Sequence, residues 1–178
     1  PMFLIAICVV ADSKGPVLFR QKRVGKNKEH FNILKFRTMR VDAPKDCPTH
    51  MLNNADSCIT RVGAFLRKTS MDEFPQLFNI LVGQMSFVGP RPALWNQYDL
   101  IEERDKYGAN NLVPGLTGWA QINGRDELEI PVKAKLDGEY VEKQSFLFDA
   151  KIFFSTFIKV FQKDGIQEGA QPVQEPAK

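Results

Sequence analysis

The residues that break regular structure come at short intervals along this chain. Asp12-Ser13-Lys14-Gly15-Pro16, Gly25-Lys26-Asn27-Lys28, Gly83, Gly89-Pro90-Arg91-Pro92, Pro114-Gly115-Leu116-Thr117-Gly118 and Gly124 follow one another. Proline lacks a backbone N–H and fixes φ, and glycine turns easily, so these clusters read as turns and loops. Gly89–Pro92 can be neither regular helix nor central strand. Only short elements fit between such breaks.

Those elements are assigned from periodicity. Val17–Val24 reads as a strand, Gly25–Lys28 as a hairpin turn and Phe31–Met39 as the returning strand. Val41–Asp56, with two prolines, reads as a loop. Ile59, Val62, Phe65 and Leu66 recur at helical spacing and predict a short helix ending near Lys68. A second helix is expected from Asp72 to Leu81, stopping near Gly83, and a short strand at Met85–Val88. Leu94–Lys106, Pro131–Lys143 and Phe148–Lys163 read as helices, Pro114–Gly118 as a loop and Trp119–Asn123 as extended. The expected fold is a single compact α/β domain with short helices around a small sheet. A chain of 178 residues can bury about 70% of its unfolded surface without disulfide or metal staples. Its 43% apolar and 25% charged residues exclude a polytopic membrane protein, a collagen, a disulfide scaffold and a disordered chain.

Two apolar segments leave alternatives open. Residues 1–11 are apolar throughout but reach only about 16 Å as a helix, too short to span a bilayer. They can form a buried helix, a buried strand or one arm of a membrane-inserted segment. In the last helix, Ile152, Phe153, Phe157, Ile158 and Phe161 form a broad stripe. Core packing is its commoner use, and an interfacial helix in the headgroup plane is the other.

The net charge of +3 hides an asymmetry. Residues 14–68 carry 13 basic and 4 acidic groups, a net of +9, and residues 69–178 carry 11 and 16, a net of −5. A basic half suits a polyanion, a phosphate-bearing substrate or an anionic membrane surface, unless the charges are merely scattered over solvated faces. Cys8, Cys47 and Cys58 have no CxxC spacing, and His30 and His50 stand alone, so neither a disulfide framework nor a zinc ribbon follows.

Ser70-Met71-Asp72-Glu73 fits a capping box ahead of an apolar helix, which would explain both acids structurally. Adjacent carboxylates at a helix start also point in different directions. One can attack an electrophile while the other holds a divalent cation. Basic groups accompany them. Lys35 and Arg37 fall on one face of a predicted strand, Arg67 precedes the pair and Arg125 follows a glycine turn. Arg91 is confined between Pro90 and Pro92, and a fixed guanidinium suits bidentate phosphate binding. Any one of these alone is an ordinary surface cation.

Together the segments resemble the monotopic phosphoglycosyl transferases, the bacterial sugar transferase family. The resemblance runs from about Val17 to Gly169 and rests on ordered motifs: Phe19–Gly25, Lys35–Met39, Arg67–Gln76, Met85–Pro92, Pro114–Arg125 and Asp137–Val141. It implies transfer of a sugar-1-phosphate from a UDP-sugar to polyprenyl (undecaprenyl) phosphate with release of UMP, the first membrane step of surface glycan synthesis. It implies Asp72 as nucleophile, Glu73 as Mg²⁺ ligand, and Arg67, Arg91 and Arg125, with Lys35 and Arg37, as phosphate-binding groups. It also implies a protein monotopic at the cytoplasmic face of the bacterial inner membrane, contacting the inner leaflet. Residues 1–11 would be the remnant of a re-entrant membrane helix broken at a Ser-Pro pair whose Pro is Pro1, 12–165 the catalytic domain and 166–178 a tail, so that the chain is a fragment lacking the incoming arm. Further helices would be amphipathic and interfacial. Val113 stands where the family often has a basic residue. The resemblance does not extend to the identity of the sugar, the pathway or the oligomeric state. A non-enzymatic basic module binding anionic lipid or nucleic acid is the alternative; the chain lacks interleaved RNA-binding aromatics and a helix-turn-helix pattern. A catalytically dead family member is a third possibility, against which the intact Asp72–Glu73 pair argues.

Overall fold

The computed structural model describes residues 2–44, 55–124 and 128–162. The opening apolar run forms helix α1 (Met2–Asp12), which excludes the strand reading. Val9 is buried against Phe36 and Leu66, with Met2, Ile5 and Ala6 packed beside it. Those positions recur at helical spacing, so Phe3, Leu4, Ile7 and Val10 are left on the outer side, where they are exposed. The Asp12 carboxylate accepts the Val62 amide at 2.9 Å, and Thr60 Oγ1 accepts that of Gly63 at 3.0 Å. Two first-turn donors of helix α3 (Arg61–Lys68) are thereby satisfied. A short helix, α2 (Ala55–Cys58), precedes it, and most of the loop predicted over Val41–Asp56 lies outside the described residues.

Strands β1 (Leu18–Val24) and β2 (His30–Phe36) form the expected antiparallel hairpin, with Phe19 opposite Lys35 and Gln21 opposite Ile33. Asn27 and Lys28 turn it, at φ 52° and 64°. The returning strand is shorter than predicted. The chain leaves the ladder after Phe36, and Met39 bridges Ile59 instead.

Four expectations fail in the middle of the chain. The helix over Asp72–Leu81 is broken into a 3-10 turn, Met71–Glu73, and helix α4 (Gln76–Leu81). No capping box forms. Ser70 has φ 56° and ψ 17°, a left-handed conformation that turns the chain after α3, whereas a capping residue needs extended backbone. The predicted Pro114–Gly118 loop carries a strand, β4 (Gly115–Thr117), parallel to β3 (Ser86–Val88). Its glycine serves close approach: a Cβ on Gly115 would lie 2.2 Å from the Gly89 nitrogen. Finally, Trp119–Asn123 is not extended. Helix α6 (Trp119–Ile122) brings Trp119 and Ile122, one turn apart, onto the cluster around Val88, Tyr140 and Ile152.

Helices α5 (Tyr98–Asp105), α7 (Ile130–Lys143) and α8 (Phe146–Gln162) complete the described elements. α7 buries Ala134, Asp137, Gly138 and Tyr140. α8 buries Ile152, and its Thr156 hydroxyl lies 2.6 Å from that of Thr117 on β4. The stripe predicted for this helix therefore divides: Ile152 joins the core, while Phe157 and Ile158, with Phe146, Leu147 and Phe154, stay exposed. Phe161 and the tail lie outside what can be described of the side chains. Among the described residues the result is an α/β fold, with two separate two-stranded sheets in place of one small sheet. The core is correspondingly divided into small clusters centred on Leu66, Leu100, Ile33 and Ile152. Among the described residues no helix is long and apolar enough to cross a membrane.

Candidate active site

The turn Met71–Glu73 holds its two acids beside β2. Lys35 Nζ donates to Glu73 Oε1 at 2.7 Å, and Arg91 Nη2 reaches the same oxygen at 3.1 Å. Both contacts fall on Oε1, which leaves Oε2 without a protein partner among the described residues. Arg67 approaches from the end of α3, its Nε donating to Thr38 Oγ1 at 2.9 Å.

The two carboxyls are driven in opposite directions. Burial raises Asp72 above its usual value, against the pull of Lys35; the Glu73 charge adds to the rise, and Arg67 and Arg91 oppose it. Burial works the same way on Glu73. There Lys35 and then Arg91 outweigh it by charge and hydrogen bond, and the carboxyl sits well below the usual carboxylate range. The pair thus combines a fixed anion with a buried, more basic carboxylate, the kind of division that separates roles in a catalytic site.

Arg91 owes its rigidity to more than its flanking prolines. Every carbonyl from residue 90 to residue 93 is held by a different donor. Pro90 O accepts Gly115 N at 2.9 Å, Arg91 O accepts Arg104 Nη1 at 2.9 Å, Pro92 O accepts Arg23 Nη1 at 3.0 Å, and Ala93 O accepts Val24 N at 2.9 Å. Arg104 is itself held by Asp137, at 2.6 Å; the two are 4% and 1% exposed. Lys35 is fixed by a comparable device. The Asn79 carboxamide donates to Asn32 O at 2.9 Å and accepts Leu34 N at 3.0 Å, so it pairs with β2 much as another strand would.

The structure therefore brings Lys35, Arg67 and Arg91 around Asp72 and Glu73. It does not bring Arg37. The shared face predicted for Lys35 and Arg37 fails because the strand ends at Phe36. The Arg37 guanidinium is spent on the Ser13 and Lys14 carbonyls, the latter at 2.7 Å, and is buried there. Arg125 lies outside the described residues. Thr38, Asn79, Arg104 and Asp137 support the site but were not singled out for it. Asp137 opens the Asp137–Val141 motif, which could have flagged it. Nothing local separates Arg104 from the other charges of α5, because its burial depends on a partner on another helix.

No group of three or more acidic, His or Cys side chains that could hold a metal ion occurs among the described residues. Asp72 and the open Oε2 of Glu73 make a different donor set. Two carboxylates completed by substrate phosphate oxygens is how Mg²⁺ is commonly bound in phosphoryl-transfer sites, so the residues present fit that ion.

Comparison with known proteins gives the family. The family model for bacterial sugar transferase matches residues 1–163, and the chain belongs to that family. It is 43% identical over 163 residues to the undecaprenyl-phosphate glucose phosphotransferase of Komagataeibacter xylinus, covering 86% of this chain and 31% of that protein. It is 43% identical over 164 residues to the UDP-glucose:undecaprenyl-phosphate glucose-1-phosphate transferase of Escherichia coli (strain K12), covering 88% and 35%. The sugar transferase EpsL of Bacillus subtilis (strain 168) is 40% identical over 168 residues, covering 94% and 81%. The chain thus spans about a third of the first two relatives and most of the third.

Proposed function

We propose that this chain transfers a sugar-1-phosphate from a UDP-sugar to polyprenyl phosphate, undecaprenyl phosphate in bacteria. The observation that carries the reading is a buried Asp72 beside a Glu73 gripped by Lys35 and Arg91, in a member of the sugar transferase family. The names of two relatives give the same class of reaction for those proteins.

A diphosphate repels an anionic nucleophile until its charge is offset. In this reading Arg67, Arg91 and Lys35 supply that offset, with Arg125 as a further candidate. Arg37 is left out, since its guanidinium is already engaged. Asp72 and Glu73 would hold Mg²⁺, which when bound neutralises phosphate charge and polarises the phosphoryl oxygens. A carboxylate oxygen of Asp72 attacks the β-phosphorus. The bond from that phosphorus to the bridging oxygen breaks, and UMP leaves with the bridging oxygen and its electron pair. An oxygen of polyprenyl phosphate then attacks the same phosphorus, and the Asp72 carboxylate departs unchanged. The raised basicity of Asp72 suits a nucleophile, and the low value of Glu73 keeps it an anion throughout. The exposed outer sides of α1, α4 and α8 would rest in the inner leaflet at the cytoplasmic face, with α1 as one arm of a re-entrant helix.

The test is mass spectrometry of the protein after incubation with UDP-sugars, Mg²⁺ and no polyprenyl phosphate. A sugar-phosphate adduct on the peptide carrying Asp72 is expected, and its mass gives the sugar. UMP formation without any such adduct would move the nucleophile elsewhere.

A further inference from the structure

We infer that Arg23 is a positioning residue for Arg91, so that the β1–β2 hairpin fixes both cations on Glu73, one directly and one at second hand. The inference rests on the site proposed above. Lys35, on β2, is the direct contact. The second route begins on β1, where Gln21 and Arg23 share a face with Phe19. The Arg23 guanidinium donates from Nε at 3.0 Å and from Nη2 at 2.5 Å to the buried Gln21 Oε1. Its third nitrogen, Nη1, donates to the Pro92 carbonyl at 3.0 Å.

A planar guanidinium anchored at one edge can aim the other edge only one way. The loop needs that aim. Pro92 has no N–H, so the Arg91–Pro92 peptide has only its carbonyl to hold its plane, and the proline ring couples that peptide to the next, whose carbonyl is that of Pro92. The carbonyl of Arg91 is held by Arg104, and that of Pro92 by Arg23. Arg104 is locked in a buried ion pair whose loss would unsettle α5 and α7 together. Arg23 is only partly buried and acts from the hairpin that carries Lys35. Shifting the Pro92 carbonyl would turn the adjoining peptide and displace the Arg91 side chain from Glu73.

The test is a double-mutant cycle on the full chain. UMP release is measured with the most active member of a UDP-sugar panel and undecaprenyl phosphate, and melting is followed for each variant. Arg91→Ala is expected to lower kcat/KM by about a hundredfold and Arg23→Gln by about tenfold. Together they should be no worse than Arg91→Ala alone to within about twofold, because Arg23 acts through a side chain that is gone. Arg23→Lys keeps a charge but not the fork, and is expected to lose activity like Arg23→Gln while melting near wild type. If the Arg23→Gln loss persists in full on the Arg91→Ala background, Arg23 contacts substrate itself and the inference falls. Full activity of Arg23→Lys would sink it too, since charge alone would then suffice. Wild-type rates in Arg91→Ala, or no UMP release by the wild type from any UDP-sugar, would overturn the reading of the site first.

Discussion

At the scale of single residues, Asp72 and Glu73 are neighbours with opposite effects on stability. The Asp72 carboxyl is raised by burial, so the folded chain holds that proton more firmly than the unfolded one. Its contribution to stability therefore falls as pH rises from the unfolded value of about 3.9 through the higher folded value, and stays unfavourable above it. Asp72→Asn should accordingly lose UMP release by roughly a thousandfold or more, and yet unfold at higher urea than wild type at pH 7. Glu73 is lowered, because Lys35 and Arg91 overcome its burial. Its stabilisation is present above the unfolded value of about 4.3 and is lost as pH falls below it. Glu73→Gln is therefore expected to destabilise at pH 7, with the gap to wild type narrowing in melts taken between pH 5 and pH 3. A gap that widened on acidification would contradict the ion pairs described.

At the scale of elements, close backbone contacts set the site. A Cβ on Gly63 would lie 2.1 Å from Thr38 O, the carbonyl that accepts Thr60 N, and the same threonine's hydroxyl accepts Arg67. Gly63→Ala should push α3 off the end of the hairpin, cost about 1–3 kcal/mol in urea unfolding and weaken UDP-sugar binding through Arg67. The Arg104–Asp137 pair joins α5 to α7, and removing one member leaves the other buried and unpaired. Asp137→Asn is expected to cost about 3–5 kcal/mol. Much of this level could be read from the sequence. The hairpin followed from its turn residues, and α3, α5, α7 and α8 from periodicity. The broken helix after Ser70, the strand at Gly115–Thr117 and the helix at Trp119 could not. The first turns on the left-handed backbone of Ser70, which its residue type does not announce, and the other two depend on partners far along the chain: Gly89 against Gly115, and the Val88–Ile152 cluster under Trp119. The site divides in the same way. Asp72, Glu73, Lys35, Arg67 and Arg91 were legible as charges in motifs. The engagement of Arg37 and the carbonyl contacts of the Arg91 loop arise only where separated segments meet.

At the scale of the whole molecule, the small core leaves a large apolar surface uncovered. On α4, which begins three residues after Glu73, Leu77, Phe78 and Leu81 are exposed, Leu81 by 81%, and Val82 just beyond is exposed as well. Scattered exposed apolar residues are ordinary, but whole helix sides are not. If α4 rests on lipid, Phe78→Ser with Leu81→Ser should weaken co-sedimentation with anionic vesicles by about tenfold or more while leaving the melting temperature nearly unchanged. Equal co-sedimentation of variant and wild type would remove α4 from the membrane face. The loop at residues 90–93 ties the molecule together from within, since its four donors come from three elements: Arg23 and Val24 of β1, Arg104 of α5 and Gly115 of β4. Two of those donors are main-chain amides, Val24 and Gly115, which can meet solvent only when the loop lets go. Their deuterium uptake would time that release with no substrate present: slow exchange at both, in step with each other, is the signature of an arginine held in place before any phosphate arrives.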